Sequence, residues 1–394
     1  MNLLNMINRN RNVPTTETDK FFTIRNFRSS QFKLIEYFMN NCIEYVSKQN
    51  GNYIKIDKII IQNVPTYLGV HYNLLTQVIV DVDILGIDGV WLRKKTFLNF
   101  FLPTLVDDMF FILNENYFVP TIYILDKPIV IKKKSIKLTS IFNSVTIYDK
   151  LVTFMGNNIP ATYFLDLFLS DMVPNELELK QKLIKIFKIS PKTFTESDLL
   201  TYFGNMFKCD QNRLIIQQCF NGIFFDDYTK ILYQQCYNLD EKDLTIPNLL
   251  QIGVDNIMNN DENMFINLSY KRLVFMEIIL SPIFQRIANI ANQSLKGFRV
   301  SEINMDQFEL IKHFYLKLHN KFLYDNVNAF DTLVSHKTHL LTPNVENAPA
   351  IIANLHSTHF KRICPISVSS QNPGETVYTL ADAKCDIFGN FYNV

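Results

Sequence analysis

The spacing of hydrophobic positions changes along the chain, and the first regular pattern is helical. After a polar stretch over residues 1–20, apolar side chains recur every three or four positions from Phe32 to Val46, and Asn50-Gly51 follows. Ser29 and Ser30 precede the pattern, as N-cap residues do, and glycine commonly ends a helix. The pattern predicts one amphipathic helix that begins at these serines, after an arm that folds only on a partner.

The next pattern alternates between polar and apolar residues, as in half-buried strands. Alternation is clear over residues 53–59 and 78–84. Residues 110–131 contain strand-forming runs separated by Asn114-Glu115-Asn116 and by Asp126-Lys127-Pro128, which are typical turn sequences. Residues 53–131 are therefore predicted to be β-rich.

The middle of the chain carries no recognisable motif. Residues 177–187 form a lysine-rich amphipathic pattern, and residues 197–235 alternate short helical patterns with aromatic turns. Asp306 is a candidate N-cap for a further helix that runs to Phe322.

Composition narrows the class of protein. A hydrophobic content of 47%, with 33 Phe and 18 Tyr, requires large buried cores, so the chain is not intrinsically disordered. Its 394 residues suffice for two or three such cores. A formal net charge of +1 provides no general attraction to nucleic acid, which argues against a free-standing DNA-binding protein.

Cysteine usage and hydropathy predict a soluble intracellular protein. The six cysteines include no Cys-x-x-Cys pair, which suits a reducing cytoplasm. Residues 1–12 lack the apolar run of a secretory signal. The most apolar stretches are interrupted by Asp81 and Asp83, or by Glu277 and Arg286, so no spanning helix is predicted.

Four of the seven histidines fall within 24 residues, as His336-x-x-His339 and His356-x-x-His359, with Cys364 nearby. Two ligand pairs separated by a loop are a layout typical of zinc sites. The usual cysteine pairs are missing, which favours packed or nucleic-acid-facing histidines. The sequence contains no Ser-His-Asp set, phosphate-binding glycine loop or paired carboxylates at helical spacing, so an independent hydrolase or nucleotide-binding enzyme has no support.

The string His356-Ser-Thr-His-Phe-Lys-Arg-Ile-Cys-Pro-Ile366 resembles the β subunit of multisubunit RNA polymerases. That family carries His-Pro-Ser/Thr-His-Tyr-Gly-Arg-Ile/Val-Cys-Pro-Ile, then an acidic, glycine-containing segment, an Ala-rich strand segment and Phe-Gly-Phe. Residues 380–383 and 388–391 lie at the corresponding distances, whereas residues 367–375 depart from the acidic segment.

Three further stretches resemble the same family, in the same order along the chain. Residues 101–131 resemble part of the protrusion domain. Residues 267–280 resemble the helix by which the chain returns from the lobe domain to the protrusion, and Pro282 is predicted to kink or interrupt it. Residues 326–339 resemble the RNA path and the rifamycin pocket, although the family's Arg-Arg is replaced by Thr338-His339.

The resemblance implies an α+β, multidomain fold with a β-subunit-like protrusion, a reduced lobe and a C-terminal fork region. Its implied divisions are a flexible arm over 1–20, the first protrusion-like part over 21–134, the reduced lobe-like region over 135–265, the second protrusion-like part over 266–324, and the fork and RNA-path region over 325–394.

The implied function is that of the N-terminal part of a split β-like subunit of a DNA-directed RNA polymerase, similar to those of giant (jumbo) bacteriophages. Such a subunit is active as a nucleotidyltransferase only within its complex. Mg²⁺ would be held by a partner β'-like chain and not by this one. The implied partners are the C-terminal half of β, split β'-like chains, a promoter-specificity factor, the DNA template and nascent RNA, without a membrane. The implied location is the host cytoplasm, with the virion interior left open. The alternative is a non-catalytic nucleic-acid-binding or virion structural protein with a polymerase-derived fold.

The resemblance also implies site residues. Arg362 is the candidate for direct contact with a phosphate near the reaction, with a salt bridge to a partner or a solvated charge as alternatives. Lys361 stands where the family has glycine, and Arg272 is equally well interpreted as an exposed helix charge. The residues implied to contact nucleic acid are Asn326, Asn328, Ser335, His336, Lys337, His356, His359, Lys361, Arg362 and Arg272.

Overall fold

A computed structural model gives the fold over most of the chain. It describes residues 22–49, 54–68, 71–85, 91–106, 110–113, 115–119, 122–132, 135–189, 194–259, 266–295, 322–323, 338–340, 356–364, 377–379 and 383–392. Within these ranges helices are mixed with five β-sheets, which confirms the predicted α+β class. The predicted N-terminal arm lies outside the described residues.

Two helices, not one, open the fold. They are α1, Ile24–Phe32, and α2, Ile35–Gln49. The predicted helix is therefore confirmed over α2, but its predicted start is wrong. Ser29 and Ser30 lie inside α1, where both hydroxyls donate to the carbonyl oxygen of Asn26 at 3.1 and 2.7 Å. A serine that bonds to the preceding turn of its own helix cannot cap the next one.

A long antiparallel sheet follows these helices, and its strands show the predicted alternation. On its central strand Val78, Val80 and Val82 are fully buried, while the residues between them are partly exposed. One face of the sheet therefore packs on the core. The strands pair in the order β2-β3-β4, with β2 at Ile54–Leu68, β3 at His71–Leu85 and β4 at Trp91–Pro103.

Shorter strands complete the first part of the fold, as the turn sequences predict. Glu115 takes a left-handed conformation, with φ 65°, in the hairpin between β6 and β7. These strands are β5, Leu105–Val106, β6, Phe110–Leu113, β7, Asn116–Val119, and β8, Ile122–Asp126.

Residues 129–258 form a second unit with its own core, in which a β-meander is covered by helices. Its buried apolar residues run from Ile129 to Val254 and include the fully buried Phe154, Phe164 and Phe220. The strands are β9, Ile129–Lys132, β10, Ser135–Thr139, β11, Ser144–Tyr148, β12, Leu151–Phe154, and β13, Asn157–Pro160. The helices are α3, Ala161–Phe168, α4, Pro174–Phe187, α5, Glu196–Phe207, α6, Arg213–Phe224, α7, Asp227–Tyr237, and α8, Ile246–Met258.

Local sequence signals fix the helix starts in this unit. Thr195 and Asp198 form a reciprocal capping box at α5, and Asn212, Asp226 and Thr245 accept backbone N–H groups at the starts of α6, α7 and α8. Each such cap contributes about 1 kcal/mol because it satisfies a backbone donor that has no partner within the helix. The predicted helix over 177–187 and the short helices over 197–235 are confirmed.

After the second unit, the chain returns to the first. The strand β14, Lys271–Val274, pairs antiparallel with β8, so the whole second unit is inserted between two neighbouring strands of one sheet. Next come α9, Met276–Ile279, and α10, Ser281–Leu295, which packs against α2. The first core therefore combines residues from both sides of the insertion, such as Phe38, Ile122 and Phe284.

The predicted helix over 267–280 is wrong over most of its length. A 3-10 turn at Leu268–Tyr270 leads into β14, whose four residues are all buried. Backbone pairing with β8 satisfies the N–H and C=O groups of these buried residues, so the strand is stable here in place of the helix that the resemblance implied. The predicted interruption at Pro282 is confirmed, because a new helix begins at Ser281 and places the proline in its first turn.

Four short strands from the C-terminal third join this framework. They are β15, Phe322–Leu323, β16, Thr338–Leu340, β17, Val377–Thr379, and β18, Lys384–Cys385. β15 pairs with β7, and β16 pairs with β8 and β17. β18 pairs with the N-terminal strand β1, Phe22–Thr23. Phe322, the predicted end of a helix from Asp306, is therefore in a strand, and residues 306–321 lie outside the described ranges. No helix that the structure describes is long and apolar enough to cross a membrane.

Candidate functional site

Three stretches that are distant in sequence meet at one place, here called the motif junction: residues 266–277, the loop 356–364 and the segment 383–392. The amide of Leu273 donates to the carbonyl oxygen of Gly389 at 2.8 Å. The amide of Leu268 donates to the hydroxyl of Thr358 at 3.0 Å. Arg362 in turn donates to the carbonyl oxygen of Tyr392 at 2.8 Å, so every pair of the three stretches is linked directly.

A buried ion pair lies at the centre of the junction. The guanidinium of Arg272 donates to both carboxylate oxygens of Glu277, at 2.7 and 2.5 Å. The hydroxyl of Tyr228 donates to the same carboxylate at 2.6 Å, and Arg272 also donates to the carbonyl oxygen of Phe388 at 3.2 Å. The side chains of Arg272 and Glu277 are only 8% and 17% exposed. Bidentate geometry with further hydrogen bonds is what makes a buried charge pair tolerable.

Burial and pairing act in opposite directions on these groups. Burial by itself would raise the pKa of Glu277, but the Arg272 guanidinium outweighs it and the pKa is lowered. Burial likewise opposes the charge on Arg272, while the Glu277 carboxylate raises the pKa of Arg272 above its ordinary value. Both groups are therefore charged at neutral pH, and each depends on the other.

The turn at residues 386–390 fits against β14 because it contains glycine. Gly389 has φ +80°, and a Cβ at this position would lie 1.9 Å from the carbonyl oxygen of Leu273. The carboxylate of Asp386 accepts the amides of Phe388 and Asn390, at 2.9 and 2.8 Å, and thereby closes the turn. Burial raises the pKa of Asp386, an effect that these hydrogen bonds oppose.

The two histidines of the loop build its backbone turn. Nδ1 of His356 accepts the amide of Thr358 at 3.2 Å, as an N-cap does, and lies 2.8 Å from the Thr358 hydroxyl. Nδ1 of His359 accepts the amide of His356 at 3.3 Å, so the ring proton is on Nε2, which lies 2.7 Å from the carbonyl oxygen of Ile266. Burial lowers the pKa of His359, so this neutral tautomer is the stable one at pH 7. His359 is a packed residue that braces the loop.

Lys361 and Arg362 have different environments although they are adjacent. Lys361 is exposed and adopts the left-handed conformation, with φ 58°. Arg362 is only 9% exposed, and its guanidinium donates to the carbonyl oxygens of Thr358 at 3.0 Å and Tyr392 at 2.8 Å. Arg362 thus ties the loop to the segment 383–392.

The structure brings five of the ten predicted site residues to the junction: Arg272, His356, His359, Lys361 and Arg362. The alternative of an exposed helix charge at Arg272 is wrong, because this residue is in β14 and buried. The remaining predicted residues, Asn326, Asn328, Ser335, His336 and Lys337, lie outside the described ranges. Contact of any of the ten with nucleic acid stays a prediction.

Sequence reasoning missed three residues of the junction, namely Tyr228, Asp386 and Asn390. Tyr228 comes from α7, in a different unit, so no local pattern connects it to Glu277. Asp386 and Asn390 flank Gly389 with the polar residues typical of turns, a signal that could have predicted the turn but not its contact with β14.

Among the described residues no group of three His, Cys, Asp or Glu side chains could hold a metal ion. A cleft of about 630 Å³ lies between the β-meander and α10, where Lys137 and neutral polar groups such as Asn143 and Asn289 line it. Its lining includes no residue of the junction.

No protein-family model matches this chain, and no curated protein is significantly similar to it in sequence.

Proposed function

We propose that this chain is the N-terminal part of a split β-like subunit of a multisubunit DNA-directed RNA polymerase, similar to those of giant bacteriophages. One observation carries the proposal: two stretches that resemble the β subunit, residues 267–280 and the described parts 356–364 and 388–391 of the C-terminal stretch, meet at the motif junction. Chance resemblances so far apart in the sequence would have no reason to lie in contact.

Two backbone conformations support the same assignment. Lys361 has φ 58° at the position where the resembled family has glycine, and glycine is the residue that adopts this conformation without strain. Gly389 has φ +80° within the stretch that resembles the family's Phe-Gly-Phe, and the close approach of Leu273 leaves no room for a Cβ. The glycines of the family pattern therefore fall where this fold needs a left-handed residue.

The order of the two units is a further support. The resemblance implies a protrusion-like domain interrupted by a lobe-like one, and the second unit is inserted between β8 and β14 of a single sheet. An inserted unit with its own core satisfies that order.

In this proposal the chain forms one side of the DNA cleft and part of the RNA path. Nucleotidyl transfer with two Mg²⁺ ions needs a carboxylate cluster, which the resemblance assigns to the β'-like partner. The junction residues then act by position: Arg272 and Glu277 hold β14 against the segment 383–392, and Arg362 holds the loop that presents Lys361. The geometry favours a positioning role for Arg362 over direct contact with the reacting phosphate.

Affinity isolation tests the proposal. The tagged chain is isolated from cells that also express the other proteins encoded by the same genome. We expect the chain to co-purify in stoichiometric amounts with polypeptides that carry an Asp-x-Asp-x-Asp-type metal motif, and the complex to make RNA on a DNA template with Mg²⁺. The chain by itself should not polymerise nucleotides, because the proposal places the metal-binding carboxylates in a partner chain. It should not bind DNA tightly either, because its net charge is only +1. RNA synthesis by the isolated chain would contradict the proposal, and isolation without such partners would favour the non-catalytic alternative.

A further inference from the structure

The motif junction carries an exposed aromatic surface that the contacts above do not use. Among the side chains whose exposure the structure describes, seven large apolar ones are exposed, and two of these are aromatic: Phe360, at 77%, and Tyr392, at 47%. Both belong to the junction, where Arg362 links the loop of Phe360 to the carbonyl oxygen of Tyr392. An isolated exposed aliphatic residue needs no explanation, but exposed aromatic rings gathered at a fold junction point to an interaction surface.

The loop that carries Phe360 is rigid on both sides of this residue. His359, immediately before it, is 3% exposed and is anchored to the carbonyl oxygen of Ile266. Ile363, three residues later, is also 3% exposed, and its amide donates to the carbonyl oxygen of His359 at 2.9 Å. The turn is therefore preorganised and keeps the Phe360 ring exposed to solvent. This reduces the conformational entropy that is lost when a partner stacks on the ring.

The exposed charge beside the ring is positive. The ammonium of Lys361 lies 5.7 Å from the centroid of the Phe360 ring, at the distance of a cation–π contact. Lys384, whose carbonyl oxygen accepts the amide of Tyr392 at 3.0 Å, is also exposed. The loop 356–364 contains no carboxylate. The segment 383–392 contains one, Asp386, which accepts a hydrogen bond from the amide of Asn390 within its own turn.

We propose that Phe360, Lys361 and Tyr392 form a stacking platform for single-stranded nucleic acid. A base stacks on the free face of the Phe360 ring, and the ammonium of Lys361 contacts the adjoining phosphate. Aromatic rings interleaved with basic residues bind bases with little sequence preference, because every base has a π face. The platform rests on the proposed function and adds to it the residues that touch the strand. An apolar pocket of a partner protein fits the surface less well, because such a pocket would have to bury Lys361.

Photocrosslinking of the chain, purified together with the polypeptides that accompany it, tests the platform. The probes are RNA and single-stranded DNA oligonucleotides that carry 5-iodouracil, a base that crosslinks to stacked aromatic rings. We expect the crosslinked peptide to contain Phe360, and the two probes to show which kind of strand is bound more tightly. Absence of a crosslink at both Phe360 and Tyr392 with both probes would overturn the platform.

Substitutions separate stacking from simple apolar contact. Phe360→Ala and Phe360→Leu should both weaken oligonucleotide binding by about fivefold or more, whereas Phe360→Trp should preserve it. Lys361→Ala should reduce the salt dependence of binding by about one phosphate contact. Leu214→Ala, at a side chain that is 68% exposed on α6, is the matched control and should change nothing.

Other outcomes are equally decisive. If Phe360→Leu binds as well as the unmodified chain, or if Phe360→Ala releases a partner polypeptide without weakening oligonucleotide binding, the surface is a protein contact and the platform is wrong. Failure of the platform is distinct from failure of the proposed function. A complex that makes RNA but shows no crosslink at Phe360 or Tyr392 refutes only the platform, and a crosslinked complex that makes no RNA refutes only the polymerase assignment.

Discussion

At the scale of single residues, the most consequential interaction is the buried pair of Arg272 and Glu277. Its two charges are almost fully removed from water, so each is stable only in the presence of the other. Tyr228 and the carbonyl oxygen of Phe388 add hydrogen bonds to this pair and connect it to two other parts of the chain. A substitution of either Arg272 or Glu277 is therefore expected to destabilise the contacts of the whole junction.

Glu277→Gln should destabilise the chain strongly. The change leaves the Arg272 charge buried and without its counter-charge, which costs about 3–5 kcal/mol. Tyr228→Phe removes one hydrogen bond to the carboxylate and should cost about 1.5–3 kcal/mol. Asp227→Asn, which removes the partially exposed ion pairs with Lys48 and Lys230, is the control and should cost less than about 1 kcal/mol. Chemical denaturation measures all three, and a similar loss for Asp227→Asn and Glu277→Gln would contradict the argument.

The stability difference between the unmodified chain and Glu277→Gln should depend on pH. The pKa of Glu277 is lower in the folded chain than its ordinary value of 4.5, so its carboxylate stabilises the fold fully above that value. The difference should therefore be constant near neutral pH and shrink as the pH falls below about 4.5, through the lowered pKa. Denaturation of both proteins from pH 7 to pH 3 checks this, and a difference that grows on acidification would be incompatible with it.

Arg362 should act through the loop that it holds. In Arg362→Ala the bonds to the carbonyl oxygens of Thr358 and Tyr392 are lost, which loosens the loop without removing an exposed charge. In the isolated complex of the proposed polymerase we expect intact assembly and RNA synthesis slowed about tenfold, which is about 1.4 kcal/mol of transition-state stabilisation. Arg362→Lys should recover little activity, because an ammonium cannot span both carbonyl oxygens as the guanidinium fork does.

The control for Arg362 is Lys242→Ala, which removes a basic side chain that is 78% exposed and lies outside the junction. It should leave both assembly and the rate of RNA synthesis within about twofold of the unmodified complex. A full rate in Arg362→Ala would remove Arg362 from the mechanism. Loss of assembly would place it instead at a contact with the proposed partner, the C-terminal half of β.

At the scale of elements, the close contact between β14 and the turn at residues 386–390 decides how the C-terminal segment attaches. The contact requires a glycine, because the backbone of β14 occupies the space that a side chain would need. Arg272 and Asn390, which flank this contact, also pair as an isolated antiparallel bridge. The turn and the strand therefore form one structural element, although more than 110 residues separate them in sequence.

Gly389→Ala should detach this turn. The new Cβ would lie 1.9 Å from the carbonyl oxygen of Leu273, so the turn must move and the contacts of Arg272 with Phe388 break. Gly156→Ala is a matched control, because Gly156 has a similar φ of +75° with no atom within 4 Å of the added Cβ. We expect the control to lose about 1 kcal/mol from backbone strain alone, and Gly389→Ala to lose at least about twice as much. Equal losses in thermal unfolding would show that the contact with β14 is unimportant.

At the scale of the whole molecule, the two cores differ in how they are encoded. The second core draws its buried residues from a single continuous segment, from Ile129 to Val254. The first core combines segments before and after the insertion and includes Cys385 and Phe388 near the end of the chain. The second unit is thus local in sequence, whereas the first requires nearly the full length of the chain.

A fragment of residues 129–258 should fold independently, because its core residues lie within it. We expect cooperative thermal unfolding and resistance to limited proteolysis. A fragment of residues 22–126 should instead remain unfolded or aggregate, because it lacks Phe284, Ile287 and Phe388 of its own core. An unfolded 129–258 fragment would show that its stability depends on the face of α7 that packs into the first core.

The sequence by itself determined the parts of this protein that depend on local chemistry. Alternation and turn sequences identified β2, β3 and β6 to β9, and helical period identified α2, α4 and the short helices between residues 197 and 235, because side-chain spacing acts within a few residues. The string around His356 also singled out the loop that contains Arg362 and Lys361.

Only the tertiary structure decided what these residues contact. The resemblance predicted a helix over 267–280, but residues 271–274 form β14, because pairing with β8 buries this segment while satisfying its backbone groups. Arg272 forms a buried ion pair with Glu277, five residues away, and is not a surface charge, because Phe388 accepts from Arg272 and Tyr228 donates to Glu277 from positions distant in sequence. Long-range convergence of this kind leaves no periodic trace in the sequence, because the free energy comes from contacts that exist only after the chain has folded.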